Sequence, residues 1–197
     1  MKNLTANWEA WYRAGATGWD RGSAAPPLLE FLETNRMEGS ILVPGCGMGH
    51  DVRALAGAGL EVVGLDIAPS AIRAARSFPP TDSGKYIQGD FFDLPKEFVG
   101  KFEWVFEHTC FCAIDPSMRE AYVASAAAAL RSGGHLLAIF YINPPWWKGR
   151  PPWKVSLNDL HRLFDGLFIW ERDWLPTVNH AGREGRERMA LLRKRDV

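Results

Sequence analysis

The chain predicts an α/β sandwich built on a mostly parallel central sheet, and three observations carry that expectation. Short apolar runs alternate with helical patterns through most of the sequence. The first of those runs, Ile41-Leu42-Val43, enters a glycine-rich turn, Pro44-Gly45-Cys46-Gly47-Met48-Gly49, and the next run leads to an acid, Asp66. Two late strand patterns, Phe168 to Trp174 and Arg188 to Leu192, have no crossover helix between them, so the last strand is expected to run antiparallel.

Asn3 to Asp20 reads as an aromatic amphipathic arm, helical through Glu9 to Ala14 and broken near Gly15 or Gly18. Pro26-Pro27 opens the next helix, because a missing amide donor is harmless in a first turn. Leu28, Leu29, Phe31 and Leu32 would form its buried stripe. After Glu38-Gly39-Ser40 come the first strand, a helix from His50 to Ala58, a second strand from Glu61 to Leu65, and a helix opened by Pro69. Tyr86-Ile87-Gln88 and Phe102 to Phe106 are the third and fourth strands. Pro116 to Leu130 is the clearest helix, with Ala121 and the small residues from Ala124 to Ala129 allowing close contact with a sheet. Ser132-Gly133-Gly134 is expected to end it, before a strand from His135 to Tyr141. Ser156 can cap a helix that includes Leu157, Leu160, Leu163 and Phe164. No independent core appears between these elements, so the 197 residues are expected to form one domain, with residues 1–25 as an aromatic arm or lid.

Composition narrows the function. Lys and Arg number 23 and Asp and Glu number 23, so no net field favours nucleic acid or an anionic membrane. The run from Arg183 to Arg195 is basic only locally, its acids alternating with its bases as on a solvated element. Cys46, Cys110 and Cys112 are too few for a disulfide scaffold. The Cys110 and Cys112 spacing suits one face of an element beside a pocket, and no matching Cys/His pair points to a metal. The first twenty residues hold no uninterrupted apolar segment, so a cytoplasmic protein without a leader is expected.

A glycine-rich turn lets the backbone approach a ligand, and an acid ending the second strand can accept hydrogen bonds from both hydroxyls of a ribose. The pattern therefore points to a nucleoside-containing cofactor. Gly45, Gly47 and Gly49 are spaced G-x-G-x-G, whereas the dinucleotide fingerprint needs a small residue where His50 stands, which argues against NAD. A purely structural turn is the bland alternative. The favoured ligand is a single adenosine-containing molecule across the first two strand ends, with Asp66 on its ribose. In Gly89-Asp90-Phe91-Phe92-Asp93, Asp90 would reach polar atoms of the adenine and Phe91 would cover the ring, leaving Phe92 to the core. Asp90 as a simple turn cap between core aromatics is the competing reading.

Several stretches together resemble the thiopurine methyltransferase superfamily, above all its small thiol, halide and thiocyanate methyltransferase branch. They are Trp8-Glu-Ala-Trp-Tyr-Arg-Ala-Gly-Ala-Thr-Gly-Trp-Asp20, Leu42-Val-Pro-Gly-Cys-Gly-Met-Gly-His-Asp51, Gly64-Leu-Asp-Ile67, Gly89 to Asp93, Glu107-His-Thr-Cys-Phe-Cys-Ala-Ile-Asp-Pro116, Gly149-Arg-Pro-Pro-Trp-Lys-Val-Ser156 and Gly182-Arg-Glu-Gly-Arg-Glu187. The resemblance implies a Rossmann-like class I methyltransferase fold with a seven-stranded sheet, and S-adenosyl-L-methionine as methyl donor. It implies that Trp8 and Trp19 enclose the donor, Gly45 and Gly47 shape its amino-acid pocket, Asp66 binds ribose, and Asp90 and Phe91 contact adenine. Glu107 and His108 would stand near the donor. His108 occupies a place where thiopurine enzymes carry an arginine, which leaves its own contact open.

The methyl carbon of a sulfonium is already activated, so such an enzyme must mainly align a nucleophile and exclude water. A thiol enters largely as thiolate, its ordinary pKa being about 8.5, and halide or thiocyanate needs no deprotonation. Trp8, Trp11, Tyr12 and Trp19 would close over donor and acceptor, with Trp146, Trp147 and Trp153 as the acceptor wall. Aromatic faces attract a sulfonium and offer a dry surface to a polarizable nucleophile. Tyr141 is the candidate catalytic residue, orienting a nucleophile or water, while Glu107 organises His108 or the donor. Cys110 and Cys112 would pack, His50, His135, His161 and His180 form no constellation, and Arg183 and Arg186 would either close over the site or make solvated salt bridges. The expected partner is a small-molecule acceptor, with neither nucleic acid nor membrane, and the protein is expected to be a monomer or weak dimer. Oxygen methylation of a phenolic or heteroaromatic acceptor, and a non-catalytic donor-binding module, are the alternatives.

Overall fold

A computed structural model describes residues 7–145 and 149–196. Its single sheet has seven strands: β1 (Ser40–Pro44), β2 (Glu61–Asp66), β3 (Gly84–Gln88), β4 (Phe102–His108), β5 (Leu130–Tyr141), β6 (Phe168–Trp174) and β7 (Glu187–Lys194). They lie in the order β3-β2-β1-β4-β5-β7-β6. β1 to β5 pair in parallel, and β7 runs antiparallel to both of its neighbours, β5 and β6. The chain doubles back between β6 and β7 without a helix, as the sequence predicts.

Side-chain alternation along each strand sorts the core onto two faces. Ile41 and Val43 of β1, with Leu137 and Ile139 of β5, pack with Leu28 and Phe31 of α2 (Pro26–Thr34) and with Val52 and Leu55 of α3 (His50–Gly57). Leu42 of β1, with Leu136, Ala138 and Phe140 of β5, faces Tyr122, Val123 and Ala126 of α5 (Arg119–Ala129) and Leu160 and Phe164 of α6 (Leu157–Phe164). Pro26 and Pro69 open α2 and α4 (Pro69–Arg76) in their first turns. α6 is set by a complete capping box between Ser156 and Asp159.

Three local expectations are corrected. Leu29 is exposed, since the buried stripe of α2 runs through Pro27, Leu28 and Phe31. Pro116–Met118 is a separate 3-10 turn, with Asp115 accepting from Ser117 N–H, and the α-helix begins only at Arg119. Ser132-Gly133-Gly134 does not stop the helix either. The helix ends at Ala129, strand pairing begins at Leu130, and the glycines lie in a register shift where Phe102 faces Leu130 but Trp104 faces His135. Gly133 has a positive φ there, a conformation a β-bulge accommodates without steric cost at glycine.

Because β1 connects through α3 to β2 on one side and β4 lies on the other, the strand order reverses direction between β1 and β4. Ligand sites in open α/β sheets form outside the carboxyl ends of the strands at such a switch point. The loops after β1, β2, β3, β4 and β5 converge there. No helix among the described residues is long and apolar enough to cross a membrane.

Candidate active site

A cavity of about 630 Å³ opens at the switch point. That lies inside the usual range for small-molecule and cofactor sites, about 300–1,000 Å³. Its wall divides along the sheet. Over β1, β2 and β3 it is built from Gly45, Cys46, Gly47, Asp66, Ile67, Asp90, Phe91 and Phe92. Over β4, β5 and the approach to β7 it is built from His108, Cys110, Cys112, Tyr141, His180 and Arg183, joined by Arg150, Pro151 and Pro152.

The turn after β1 is shaped by what it touches. Gly45 and Gly47 have φ of 61° and 55°, and a Cβ at Gly45 would stand 2.8 Å from the Cys110 sulfur while one at Gly47 would stand 3.0 Å from the Tyr12 hydroxyl. Any side chain would therefore invade the cavity wall. Asp66 closes the turn: Oδ2 accepts from Gly47 N–H at 2.9 Å and Oδ1 from Ala68 N–H at 2.9 Å. Burial raises its carboxyl pKa, against the pull of those two N–H donors. Asp90 Oδ1 accepts from Phe92 N–H at 2.9 Å, so Asp90 caps its turn and also stands on the cavity wall. Both aromatics of that turn line the cavity and both pack against the core. Phe91 is 6% exposed and packs on Tyr122 at 5.0 Å, whereas Phe92 is only partly buried.

The arm covers the cavity. α1 (Trp8–Arg13) brings Trp8 and Trp11 against Trp19, with centroids 5.4 and 5.7 Å apart, and Tyr12 meets Trp19 at 5.6 Å. Trp8, Trp11, Tyr12 and Trp19 all line the cavity. The Glu9 carboxylate fixes α1 to the start of α4 by accepting from the Ser70 N–H at 2.9 Å and hydroxyl at 2.8 Å.

A buried charge network underlies the other half. His108, whose partner the sequence leaves open, pairs through Nδ1 with Asp51 Oδ2 at 2.8 Å. Arg183 Nη1 donates to Glu187 Oε1 at 2.9 Å and stands 3.1 Å from His108 Nε2, which is 3.8 Å from that same oxygen. Asn179 Nδ2 donates to Glu187 Oε2 at 2.9 Å. Arg183 and Glu187 are 3% and 1% exposed, so this is no solvated salt bridge. Arg186, by contrast, is only half-buried and donates to the Asn143 carbonyl. Burial alone would lower the His108 pKa, but the charge and hydrogen bond of Asp51, together with Glu187, push it up to about 9. Burial would raise Glu187, yet the nearby His108, with hydrogen bonds from Asn179 and Arg183, brings it down to about 2. With its pKa raised, a protonated His108 would balance the quartet at two positive and two negative groups, although the 3.1 Å contact of Arg183 Nη1 with Nε2 opposes that second proton. Arg183 Nη2 also donates to the Trp19 carbonyl at 3.3 Å, and its guanidinium lies 5.1 Å from the Tyr141 ring centroid.

Tyr141 stands on the wall, and burial raises its phenol pKa. Glu107 sits behind the wall with both oxygens taken, Oε1 by Phe111 N–H at 2.8 Å and Oε2 by the Tyr122 hydroxyl. Burial pushes its pKa up to about 7 against those donors. All three cysteines are unpaired wall residues, and burial raises each thiol, Cys112 to about 12. Among the described residues no cluster of His, Cys, Asp and Glu could hold a metal ion. Trp146 and Trp147 lie outside the described residues. Asp51 and Glu187 are the functional candidates that sequence reasoning misses. Asp51 had a signal, an acid in the first turn of the helix after the glycine turn; Glu187 shows its partners only once β7 is inserted between β5 and β6.

Fold, glycine turn, the acid ending β2 and the aromatic cover together match a class I S-adenosylmethionine-dependent methyltransferase. More narrowly, the chain belongs to the thiopurine S-methyltransferase family, whose signature matches residues 4–191. It is 35% identical to probable thiol methyltransferase 2 of Arabidopsis thaliana, an alignment covering 98% of this chain and 87% of that protein. It is 34% identical to thiocyanate methyltransferase 1 of Brassica oleracea, over 95% of this chain and 84% of that one. The crystal structure of Burkholderia thailandensis 1,6-didemethyltoxoflavin-N1-methyltransferase, with bound 1,6-didemethyltoxoflavin and S-adenosylhomocysteine, has the same fold. Its TM-score is 0.73 at 16% identity, with 96% of this chain and 86% of that one covered.

Proposed function

We propose that this enzyme transfers the methyl group of S-adenosylmethionine by direct displacement to a small soft nucleophile, preferably a thiol, with halide or thiocyanate as further acceptors. The division of the cavity along the sheet carries the reading. Over β1 to β3 the wall offers glycine backbone, two carboxylates and aromatic rings, a donor set suited to a cationic nucleoside. Over β4, β5 and β7 it offers a guanidinium, a phenol and thiols, which suit a polarizable anion.

When bound, S-adenosylmethionine supplies a methyl carbon already activated on a sulfonium. Gly45 and Gly47 would admit its amino-acid portion, Asp66 would accept from the ribose, Asp90 and Phe91 would meet the adenine, and Trp8 and Trp19 would close over it. The described part of the arm, residues 7–25, would then act as the lid of a single domain. Glu107 supports the wall from behind, and His108 holds Arg183 and Asp51 in register. Tyr141, its phenol held neutral, would orient the acceptor as a hydrogen-bond donor; its raised pKa makes it a poor proton acceptor. An acceptor that arrives as an anion needs none, which favours thiolate, halide or thiocyanate over a phenol.

The names of the two plant relatives, thiol and thiocyanate methyltransferases, support this acceptor class. We further infer work in the cytoplasm, since three unpaired cysteines suit a reducing compartment. Turnover measured side by side with hydrosulfide, methanethiol, iodide, thiocyanate and an aromatic thiol tests the proposal. Methylation of at least one is expected. Donor binding without turnover on any of them would overturn it.

A further inference from the structure

Arg119 is 7% exposed, yet among the described residues no carboxylate forms an ion pair with it. It is the first residue of α5, where the helix dipole disfavours a cation. Burial lowers its pKa, and its Nε is buried without a hydrogen-bond partner. A cation in that setting is costly, and fold stability alone would be better served by an apolar residue.

Its remaining contacts show what the guanidinium holds. Nη2 donates to the main-chain carbonyls of Lys154 at 3.0 Å and Trp153 at 3.3 Å, and the guanidinium lies 5.3 Å from the Phe111 ring centroid. In the same segment, Trp153 N–H donates to the Cys112 carbonyl at 2.7 Å. Arg119 and this backbone bond therefore pin the segment 149–154 against the segment 110–113. Arg150, Pro151 and Pro152 from the first, with Cys110, Cys112 and Ala113 from the second, line the β4–β5 side of the cavity. Arg119 itself does not line it.

We infer that Arg119 is a positioning residue for the acceptor: by clamping the Trp153 and Lys154 carbonyls it fixes the wall that sizes the acceptor end of the cavity. This rests on the functional reading above. The planar fork can bind two carbonyls while lying on a ring, whereas a lysine ammonium holds them as a point charge and loses the stacking. None of the clamp's own hydrogen bonds involves Gly45, Gly47 or Asp66, so the donor side should respond less than the acceptor side.

The test compares wild type with Arg119→Met and Arg119→Lys. It measures acceptor KM with thiocyanate and methanethiol, S-adenosylhomocysteine affinity by calorimetry, and hydrogen exchange at the Trp153 amide in protein without ligand. Arg119→Met is expected to raise acceptor KM roughly tenfold or more, with kcat falling less, and to speed Trp153 exchange. Arg119→Lys should fall between, and S-adenosylhomocysteine affinity should stay within about twofold in both. If Arg119→Met does not fold, Arg119→Lys carries the test alone. Unchanged KM and unchanged Trp153 exchange in a folded variant would overturn the inference, as would parallel losses of donor affinity and acceptor KM. If wild type turns over none of the acceptors, the functional reading fails, while the Trp153 exchange still reports whether the clamp exists.

Discussion

Replacing Glu187 by glutamine breaks the buried quartet at its most enclosed member. Wild type holds Arg183 and His108 against Asp51 and Glu187; the variant leaves two cations facing one carboxylate. Removing one partner of a buried ion pair costs about 3–5 kcal/mol. Here the lower end applies, because His108 can release its proton and restore neutrality. With roughly 2–4 °C of Tm per kcal/mol in a chain of this size, a fall on the order of 6–12 °C is expected. The pH dependence is the sharper part. A His108 pKa raised from 6.5 to about 9 contributes stability that is complete below 6.5 and lost as pH climbs to about 9. At about 1.4 kcal/mol per unit that amounts to roughly 3 kcal/mol. Without Glu187 the His108 pKa drops, so the variant loses less over that window. The difference between the two proteins should therefore be widest near pH 5–6, above the range where Glu187 itself titrates, and should shrink toward pH 9. Urea denaturation at pH 5.5, 7.5 and 9 measures it. A variant within about 1 kcal/mol of wild type at pH 5.5, or a deficit that widens with pH, would refute the charge balance. A double replacement, Arg183→Met with Glu187→Leu, should cost less than Glu187→Gln alone.

Asp66→Ala removes the acceptor of the Gly47 and Ala68 N–H groups together with the proposed ribose contact, so S-adenosylhomocysteine affinity should fall roughly tenfold or more by calorimetry, with acceptor preference unchanged. Tyr122→Phe takes the hydroxyl donor from buried Glu107 and should cost about 1–3 kcal/mol in urea denaturation. Glu107 already has a raised pKa, so its contribution is complete below 4.5 and lost as pH rises to about 7; in Tyr122→Phe that loss should continue above pH 7. Thr109 is the one non-glycine residue with positive φ among those described, at 61°, a costly conformation for a β-branched side chain. Thr109→Asn should stabilise by roughly 1 kcal/mol, seen as a Tm increase of a few degrees.

The elements that the sequence marks clearly are those whose cause is local. Pro26 and Pro69 open helices because of their own ring chemistry, Ser156 and Asp159 cap α6 across three residues, and the apolar runs of β1 and β5 reveal strands buried on both faces. The glycine turn and Asp66 are legible for the same reason, being one strand–turn–helix–strand unit. What sequence hides depends on partners far along the chain. Asp51 and His108 are 57 residues apart and meet only because β1 and β4 are neighbours. Phe91 is more deeply buried than Phe92 because Asp90 accepts from Phe92 N–H and turns the chain, and a periodicity argument does not see such a bond. Leu29 looks like stripe because it is apolar, but helix α2 needs only one face against β1.

Stability and site are joined through Arg183. α1 has six residues, none of them buried, and a helix that short does not persist alone in water. Its order comes from what it leans on: Ser70 through Glu9, the tryptophan cluster, and the Trp19 carbonyl held by Arg183. The Ala25 N–H, at the end of the arm, is accepted by Asp51, which also holds His108. The quartet therefore touches the arm twice and Tyr141 once. If the arm is the lid we propose, a ligand that fills the cavity adds contacts only the closed arm can make, and so shifts the arm toward closure. Loss of Glu187 removes the ion pair that holds Arg183 and weakens closure before any ligand atom is touched. Glu187→Gln should thus lower donor affinity although Glu187 is nearly sealed from the cavity, and calorimetry with S-adenosylhomocysteine separates this from a stability effect when run well below the variant's Tm. Donor affinity equal to wild type would mean that the arm closes without the network.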